Sequence, residues 1–439
     1  MAEPVHTHAA ILSIGDELVR GQTLDTNSKL LSERLMLAGI EPVEHGTVGD
    51  GLVGIVDAFK RLSRRAPLIV ATGGLGPTDD DLTREALAGV LGDELVEDAV
   101  ALGWLTERLR SRGREVSPAQ RRQALRPAGA ECLRNELGTA PGLSARIDVE
   151  GHTADVFCLP GPPGEWVPMW ETMIAPRLRP EAGITVRTRF INVVGLPEAD
   201  AAALVPGIMA RDASPQVGIT ASGGVLTWRI RYRGTLAPAE ADRAVEAVAR
   251  RIYDAMGKHI FGEGEASLAS CIVKLLRARG QTLAVVESCT GGMLGHAISA
   301  VPGASWVFAG GFMTYSNEFK QRAVDVRAET LRAHGAVSAE CAGEMASGGI
   351  AKTGAAWCLA ITGVAGPDGG TAAKPVGTVY IALARRDAAA PLGESQNKKF
   401  EFPGGREDVR QRSVMSALAM LWFALKAGDP PARLLWEKS

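Results

Sequence analysis

Two regions of this chain carry residue types that chemistry requires, in settings that could make them reactive. The first is Glu287-Ser-Cys-Thr-Gly-Gly292, which follows an apolar run and precedes a helical pattern. A hydroxyl on such a turn is exposed, and neighbouring backbone N–H groups can stabilise an oxyanion. A serine is a weak nucleophile until a base takes its proton. Histidine is a poor candidate for that base, since His296 falls on the following helix and His334 sits in a polar segment with no linked carboxylate motif. Lys320, in Tyr315-Ser-Asn-Glu-Phe-Lys320, is better, because a desolvated lysine can become a neutral base. Cys289 is the rival nucleophile if a helix N-terminus acidifies its thiol, although small cysteines are more often simply buried. Ser288-Cys-Thr290 could equally be a helix N-cap, and Lys320 a solvated surface lysine.

Two more strings lie in the same region. Ile361-Thr-Gly-Val-Ala-Gly-Pro-Asp-Gly-Gly370 is a glycine-rich loop after an apolar strand and can wrap a polar ligand closely. Phe402-Pro-Gly-Gly-Arg-Glu-Asp-Val-Arg410 sets Arg406 and Arg410 four apart on one face of a helix start, which suits a phosphate or carboxylate. Salt bridges to Glu407 or Asp408 are the structural alternative.

The second reactive region is Ala71-Thr-Gly-Gly-Leu-Gly-Pro-Thr-Asp-Asp-Asp-Leu-Thr83. Its glycines let backbone N–H groups approach an anion. It is not a Walker loop, since no Gly-Lys-[Ser/Thr] follows, and Asp79 stands where the dinucleotide fingerprint needs its third glycine. Asp79, Asp80 and Asp81 would repel a phosphate unless a divalent cation bridges them, so with Glu17 they are the candidate metal ligands. They could also merely cap the following helix. Gly15-Asp-Glu17, Thr26-Asn27, Gly138-Thr-Ala-Pro-Gly142 and Pro160-Gly-Pro-Pro163 are further turns of the kind that bind ligands at strand ends in α/β sheets.

The elements that must position these residues follow from hydrophobic spacing. Ala9–Ile14, Pro67–Ala71 and Val156–Leu159 read as strands alternating with helices at Thr26–Ala38 and Thr83–Val90, which predicts an α/β layer with a mostly parallel sheet. Pro176, Pro180 and Gly183 mark a boundary. Beyond it, strand Val186–Val194, helix Glu198–Ala210, a hairpin of Gln216–Ala221 and Val225–Arg233 turning at Gly223-Gly224, and helix Ala239–Met256 predict a small β-α-β-β-α module. Strands Thr282–Val286, Val307–Tyr315, Trp357–Thr362 and Thr378–Ala384, with helices around Ala339–Thr353 and Glu407–Lys426, predict a second α/β domain. The expected division is 1–178, 184–262 and 264–430.

These strings together carry a family resemblance. Gly21-Gln22, Thr26-Asn27, Thr72–Thr78, Gly138–Gly142 and Leu159–Pro163 resemble the amino-terminal domain of the competence/damage-inducible CinA family, which is similar in fold to molybdopterin-binding domains. Glu287–Gly292, Thr314–Lys320, Gly335–Ser338, Gly363–Gly370 and Lys374–Thr378 resemble its carboxy-terminal nicotinamide-nucleotide amidase domain. The resemblance implies that Ser288, Lys320 and Tyr315 are catalytic, with Thr290, Gly291, Thr362, Gly363, Arg406 and Arg410 binding nicotinamide mononucleotide. It implies that Asn27, Gly73, Gly74, Gly76, Thr139 and Gly161 hold a nucleotide such as ADP-ribose in a metal-dependent pyrophosphatase. The family's usual Gly-Asp-Arg reads Gly404-Gly405-Arg406 here, and its Gly-Thr-Glu reads Gly15-Asp-Glu17.

Composition narrows the classes. The 439 residues are 46% apolar and carry 48 basic against 50 acidic side chains, so there is no polybasic field for nucleic acid. The middle module suits a KH-like fold, but Gly195-Leu-Pro-Glu and Gly218-Ile-Thr-Ala lack the Gly-x-x-Gly clamp, and nucleic-acid binding is not expected. No 18-residue apolar run or leader pattern is seen, and the six cysteines form no CxxC, so the expectation is a cytoplasmic, reduced protein; a homodimer is expected separately. The competing expectation is a molybdopterin- or nucleotide-binding module with one or both sites inactive.

Overall fold

Strands without a polar face are stable only between two covering layers. In the computed structural model, which describes residues 3–386, 395–426 and 433–438, His8–Ile14 is buried at six of its seven positions and Leu68–Thr72 at all five. They lie inside a six-stranded sheet of order 41–48, 8–14, 68–72, 152–159, 142–149, 131–133. Ile55, Phe59, Leu62 and Leu87 cover one face, and Leu31, Leu35, Trp166 and Trp170 the other. The first three pairings are parallel, as expected, and the last two are antiparallel, so the sheet is mixed with a parallel majority. The unforeseen hairpin Gly142–Val149/His152–Leu159 turns at Glu150-Gly151, both at positive φ, without the Asn-Gly or Asp-Gly signal that sequence reading relies on.

The second sheet has the order 216–222, 225–234, 185–194, 260–263. Its hairpin turns at Gly223 and Gly224 as expected. The expected helix Glu198–Ala210 ends at Leu204, because Val205 precedes Pro206 and leaves the helical region with ψ 64°. Strand Ile260–Glu263 adds a fourth member.

The third sheet runs 308–313, 283–287, 357–363, 378–385, 395–401, 437–438. Leu283 and Val285 face a cluster with helices Leu268–Ala278 and Arg406–Lys426, whereas Ala284 and Val286 face helix Ala339–Thr353. This is the two-residue alternation of a strand covered on both sides. Leu283–Glu287 pairs in parallel with Phe308–Met313 on one side and Trp357–Gly363 on the other. Its carboxyl end is therefore a switch point, where open α/β sheets leave a crevice. By compactness the chain forms two units, 1–187 with 233–241 and 188–232 with 242–439.

One buried ionic cluster closes the first unit. Asp155 accepts from His6 Nε2 at 3.0 Å and from Arg146 Nε at 2.8 Å, and also pairs with Arg179. Burial pushes its carboxyl up, but the hydrogen bonds of His6 and Arg146 and the charges of Arg146 and Arg179 outweigh this and hold it at about 2. A depressed carboxylate stabilises the fold above its unfolded pKa near 4 and loses that contribution as pH falls toward the folded value. Asp155→Ala should lower stability near pH 7 by about 2 kcal/mol and flatten the acid limb of stability against pH. Urea titrations across that range check it, and an unchanged acid limb would contradict the assignment.

Candidate functional site

The strand Leu283–Glu287 extends its ladder by one bond, from Ser288 N–H to Ile361 O at 3.0 Å. The chain then turns through Gly291 (φ 59°) and Gly292 (φ 93°), two consecutive left-handed residues that side chains disfavour. This leaves Ser288 at the switch point. Lys320 arrives on helix Asn317–Val324, which Ser316 caps by accepting from Phe319 N. Its Nζ lies 3.1 Å from Ser288 Oγ, 2.7 Å from Thr314 O and 3.5 Å from Tyr315 O.

Lys320 is only 1% exposed, and none of the ion pairs among the described residues includes it. Burial drives its pKa below the ordinary lysine range. A neutral amine has two N–H bonds and one lone pair. Donation to Thr314 O leaves that lone pair able to accept the Ser288 hydroxyl proton. Cys289, the rival, is turned into the apolar core, and burial pushes its thiol up to about 12, which keeps it protonated.

The amides of the turn are already allotted. Gly291 N–H donates to Ser288 O, and those of Gly292, Leu294 and Gly295 donate to the Glu287 carboxylate at 3.1, 3.0 and 2.8 Å. The Thr290 N–H has no acceptor among the described residues, and that of Cys289 reaches only its own thiol. An oxyanion beside Ser288 would therefore meet Cys289 and Thr290 rather than Gly291 or Gly292. The Thr290 hydroxyl is also buried, with no hydrogen-bond partner among the described residues.

The other expected residues stand at the rim. Arg410 donates to Thr290 O at 3.0 Å and pairs with Glu407 at 2.8 Å. Arg406 donates to Gly366 O at 2.7 Å and to the Tyr315 hydroxyl at 3.0 Å. Tyr315 is 63% exposed, and its phenol bonds to Arg406 rather than to Ser288 or Lys320. Thr362 spends its hydroxyl on Ala336 O at 2.8 Å, bracing a loop, and Gly363 lies close against Thr378 and Val379. Gly405, where the family usually has aspartate, donates its N–H to Asp408, which caps the helix from inside.

In the first unit a cavity of about 620 Å³ is lined by Glu17, Asn27, Gly73, Gly74, Gly76, Asp80, Thr139 and Gly161 with other residues of the same loops. Gly73 N–H is spent on Leu159 O and Gly76 N–H on Asp81, so the amides without an acceptor among the described residues are those of Gly74 and Leu75. Buried Arg84 holds the loop from behind, donating to Leu75 O at 3.0 Å and Gly76 O at 2.6 Å. Asn27 ties Gly161 O to Trp166 Nε1, so its amide builds the wall.

The expected cation cradle is not assembled. Asp79 is exposed and pairs with Arg122 at 2.7 Å. Asp81 accepts from Gly76 N and Thr78 N at 2.8 Å each and from the Thr78 hydroxyl. Glu17, Asp80 and Asp81 line the cavity with Asp50, but no group of three or more His, Cys, Asp or Glu among the described residues is placed to hold a metal ion. Asp50, which sequence reading missed, has its carboxyl pushed up by burial and by the charges of Asp16, Glu17 and Asp80, against a lowering hydrogen bond from Asp16 N–H. Its setting, Gly49-Asp-Gly51, reads as an ordinary turn.

With this geometry the known proteins can be compared. Residues 265–425 match the CinA C-terminal domain, 188–262 the damage-inducible protein CinA KH domain, and 10–180 a probable molybdopterin binding domain. A CinA-like protein of Thermotoga maritima is 39% identical over 422 residues, covering 96% of this chain and 99% of its own. The chain belongs to the CinA family. Another CinA-like protein, from Synechococcus sp. (strain RCC307), is 40% identical over 418 residues, covering 94% and 98%. The crystal structure of a CinA superfamily protein from Klebsiella pneumoniae is 38% identical, covers 36% of this chain and 95% of its own, and has a TM-score of 0.34. The CinA framework thus comprises a molybdopterin-binding-like α/β domain, a KH-like module and the CinA C-terminal domain.

The two outer aspartates of the glycine loop should behave differently. Asp81→Ala removes three hydrogen bonds that fold Gly76–Thr78 and should cost roughly 1–3 kcal/mol of stability. Asp79→Ala loses one exposed pair and should cost less than about 1 kcal/mol. Denaturant titration of the two variants decides it; equal losses would contradict the different roles.

Proposed function

We propose that the carboxy-terminal domain hydrolyses the carboxamide of nicotinamide mononucleotide to the acid and ammonia. The observation that carries this reading is the buried Lys320 amine 3.1 Å from Ser288 Oγ with no carboxylate bound to it. Lys320 takes the hydroxyl proton as Ser288 attacks the amide carbon, and the N–H groups of Cys289 and Thr290 receive the oxyanion. The lysine ammonium then protonates the departing nitrogen, ammonia leaves, and an acyl-serine ester remains. Water attacks the ester as Lys320 takes its proton, and that proton returns to Ser288 on release of the acid. The guanidinium groups of Arg410 and Arg406 suit the 5′-phosphate, with Tyr315 held at the rim by Arg406.

For the amino-terminal domain the reading is cleavage of a nucleotide diphosphate such as ADP-ribose, with a phosphate on the Gly74 and Leu75 amides. The residues present do not by themselves form a metal site, so any divalent cation belongs to this reading as part of the metal–diphosphate substrate, and no step is routed through it. That same observation favours the second reading, a nucleotide- or molybdopterin-binding domain without turnover. No helix among the described residues is long and apolar enough to cross a membrane, and the proposed setting is the cytoplasm.

Product analysis tests both domains. Ser288→Ala should abolish ammonia release and Cys289→Ala should retain most of it; the reverse result would overturn the nucleophile. Chelator should leave ammonia release unchanged and stop formation of AMP and ribose phosphate; no such products at any metal concentration would leave the binding-domain reading.

Lys320→Met should lower kcat by roughly 10²–10⁴-fold. It should also raise stability, because folding the wild type deprotonates an amine that is charged when unfolded. That penalty is fully present below the folded pKa and fades as pH rises toward the unfolded value of about 10.4, so the gain should shrink with rising pH. Thermal melts at several pH values check the sign, and the kcat/KM profile of the wild type should show the matching acidic limb.

A further inference from the structure

Strand alternation puts Glu287 on the same face as Val285, a core position where an apolar residue would ordinarily sit. It is 1% exposed, and no ion pair among the described residues includes it. A carboxylate withdrawn from water and from cations is costly unless hydrogen bonds replace the lost hydration. Three do, and all are backbone N–H groups of one short stretch: Gly292 and Leu294 on one oxygen, Gly295 on the other. A Cβ on Gly295 would make ordinary van der Waals contact with Glu287 Oε1 at 3.5 Å and Phe308 at 3.6 Å.

We propose that Glu287 is the positioning residue of the nucleophile turn, a role that rests on Ser288 being the nucleophile. Its carboxylate joins the end of the central strand to the far side of the turn. Ser288 lies between those two anchors, and its Oγ is held against Lys320. The same three bonds occupy the amides of Gly292, Leu294 and Gly295, so the N–H groups without an outside acceptor are those of Cys289 and Thr290, beside the serine. Glu287 touches neither the substrate nor Lys320 Nζ. It acts through the geometry of Ser288 and of those two amides.

The full chain carrying Glu287→Gln or Glu287→Ala tests this. A glutamine keeps one carbonyl acceptor but turns an NH₂ toward an N–H; alanine removes every acceptor. With nicotinamide mononucleotide, Glu287→Gln should lower kcat about tenfold and Glu287→Ala about a hundredfold or more, with KM within roughly threefold of wild type. The acidic limb set by Lys320 should stay where it is. If the alanine variant does not fold, the glutamine variant carries the test.

A second readout is independent of the substrate: the rate at which a fluorophosphonate labels Ser288, followed by mass spectrometry, should fall in step with kcat. Wild-type labelling and kcat in Glu287→Gln would overturn the proposal, as would a raised KM with unchanged kcat. If wild type is labelled at Ser288 but releases no ammonia, the substrate assignment fails while the labelling rates still decide the role of Glu287. If wild type is not labelled at Ser288, the nucleophile assignment fails and this proposal with it.

Discussion

A lysine amine sealed from water with no counter-charge is the constraint on which the carboxy-terminal domain depends. Such a group is tolerated only if it is neutral or well bonded. Lys320 is both buried and bonded, and its partners are set by the ends of two neighbouring strands. Phe308–Met313 stops one residue before Thr314, whose N–H donates to Glu287 O at 2.7 Å and whose own carbonyl then receives Lys320 Nζ. Leu283–Glu287 stops one residue before Ser288, whose hydroxyl receives the same amine. Two parallel strands in register therefore deliver a carbonyl and a hydroxyl to one point. The helix that follows Thr314 returns the lysine to that point six residues later.

The two candidate sites solve a shared problem in the same way. A glycine turn has too many free N–H groups and too much conformational freedom to hold one geometry unaided. In each turn a nearby carboxylate consumes part of that supply: Asp81 takes Gly76 and Thr78, and Glu287 takes Gly292, Leu294 and Gly295. What is left is two adjacent amides, Gly74 with Leu75 and Cys289 with Thr290. An acidic residue beside an anion-seeking loop is thus a structural member of the loop as well as a candidate ligand. The sequence alone presents these roles as rivals. The geometry shows that they are not exclusive: Asp81 braces Gly76 and Thr78, and it lines the cavity together with Asp80.

This overlap of roles marks how far the site was legible. Ser288 and Lys320 could be proposed because a serine on a strand-to-turn string and a lysine that burial can neutralise are local patterns, and the helix around Ala339–Thr353 was readable from its spacing. The antiparallel hairpin at Glu150-Gly151, the polar strand Ser395–Glu401 and the Asp50 contact lack a local signal, since each depends on what the chain meets in space. The arginines show the same limit. Their four-residue spacing predicted a shared helix face, but only the structure shows that Arg406 reaches Tyr315, 91 positions away in sequence, while Arg410 reaches Thr290 O.

The helix that carries those arginines needs an anchor, because its N-terminal end is exposed. Its distal half supplies that anchor inside the second unit. Trp422 and Phe423 join a core with Val194 and Phe261 of the KH-like module, the Trp422 indole N–H donates to Lys258 O at 3.2 Å, and His259 packs edge-on against Phe423. Gly195, left-handed at φ 81°, lies so close to Phe423 that a Cβ there would approach its ring to 3.1 Å. In KH modules a glycine loop serves nucleic acid by letting its backbone approach a strand closely. Here the close approach at Gly195 is made to an aromatic ring of the protein itself. The module's glycine thus fixes the arginine helix in place, a physical reason for this small sheet to sit in the chain immediately before the domain that bears the Ser288–Lys320 pair.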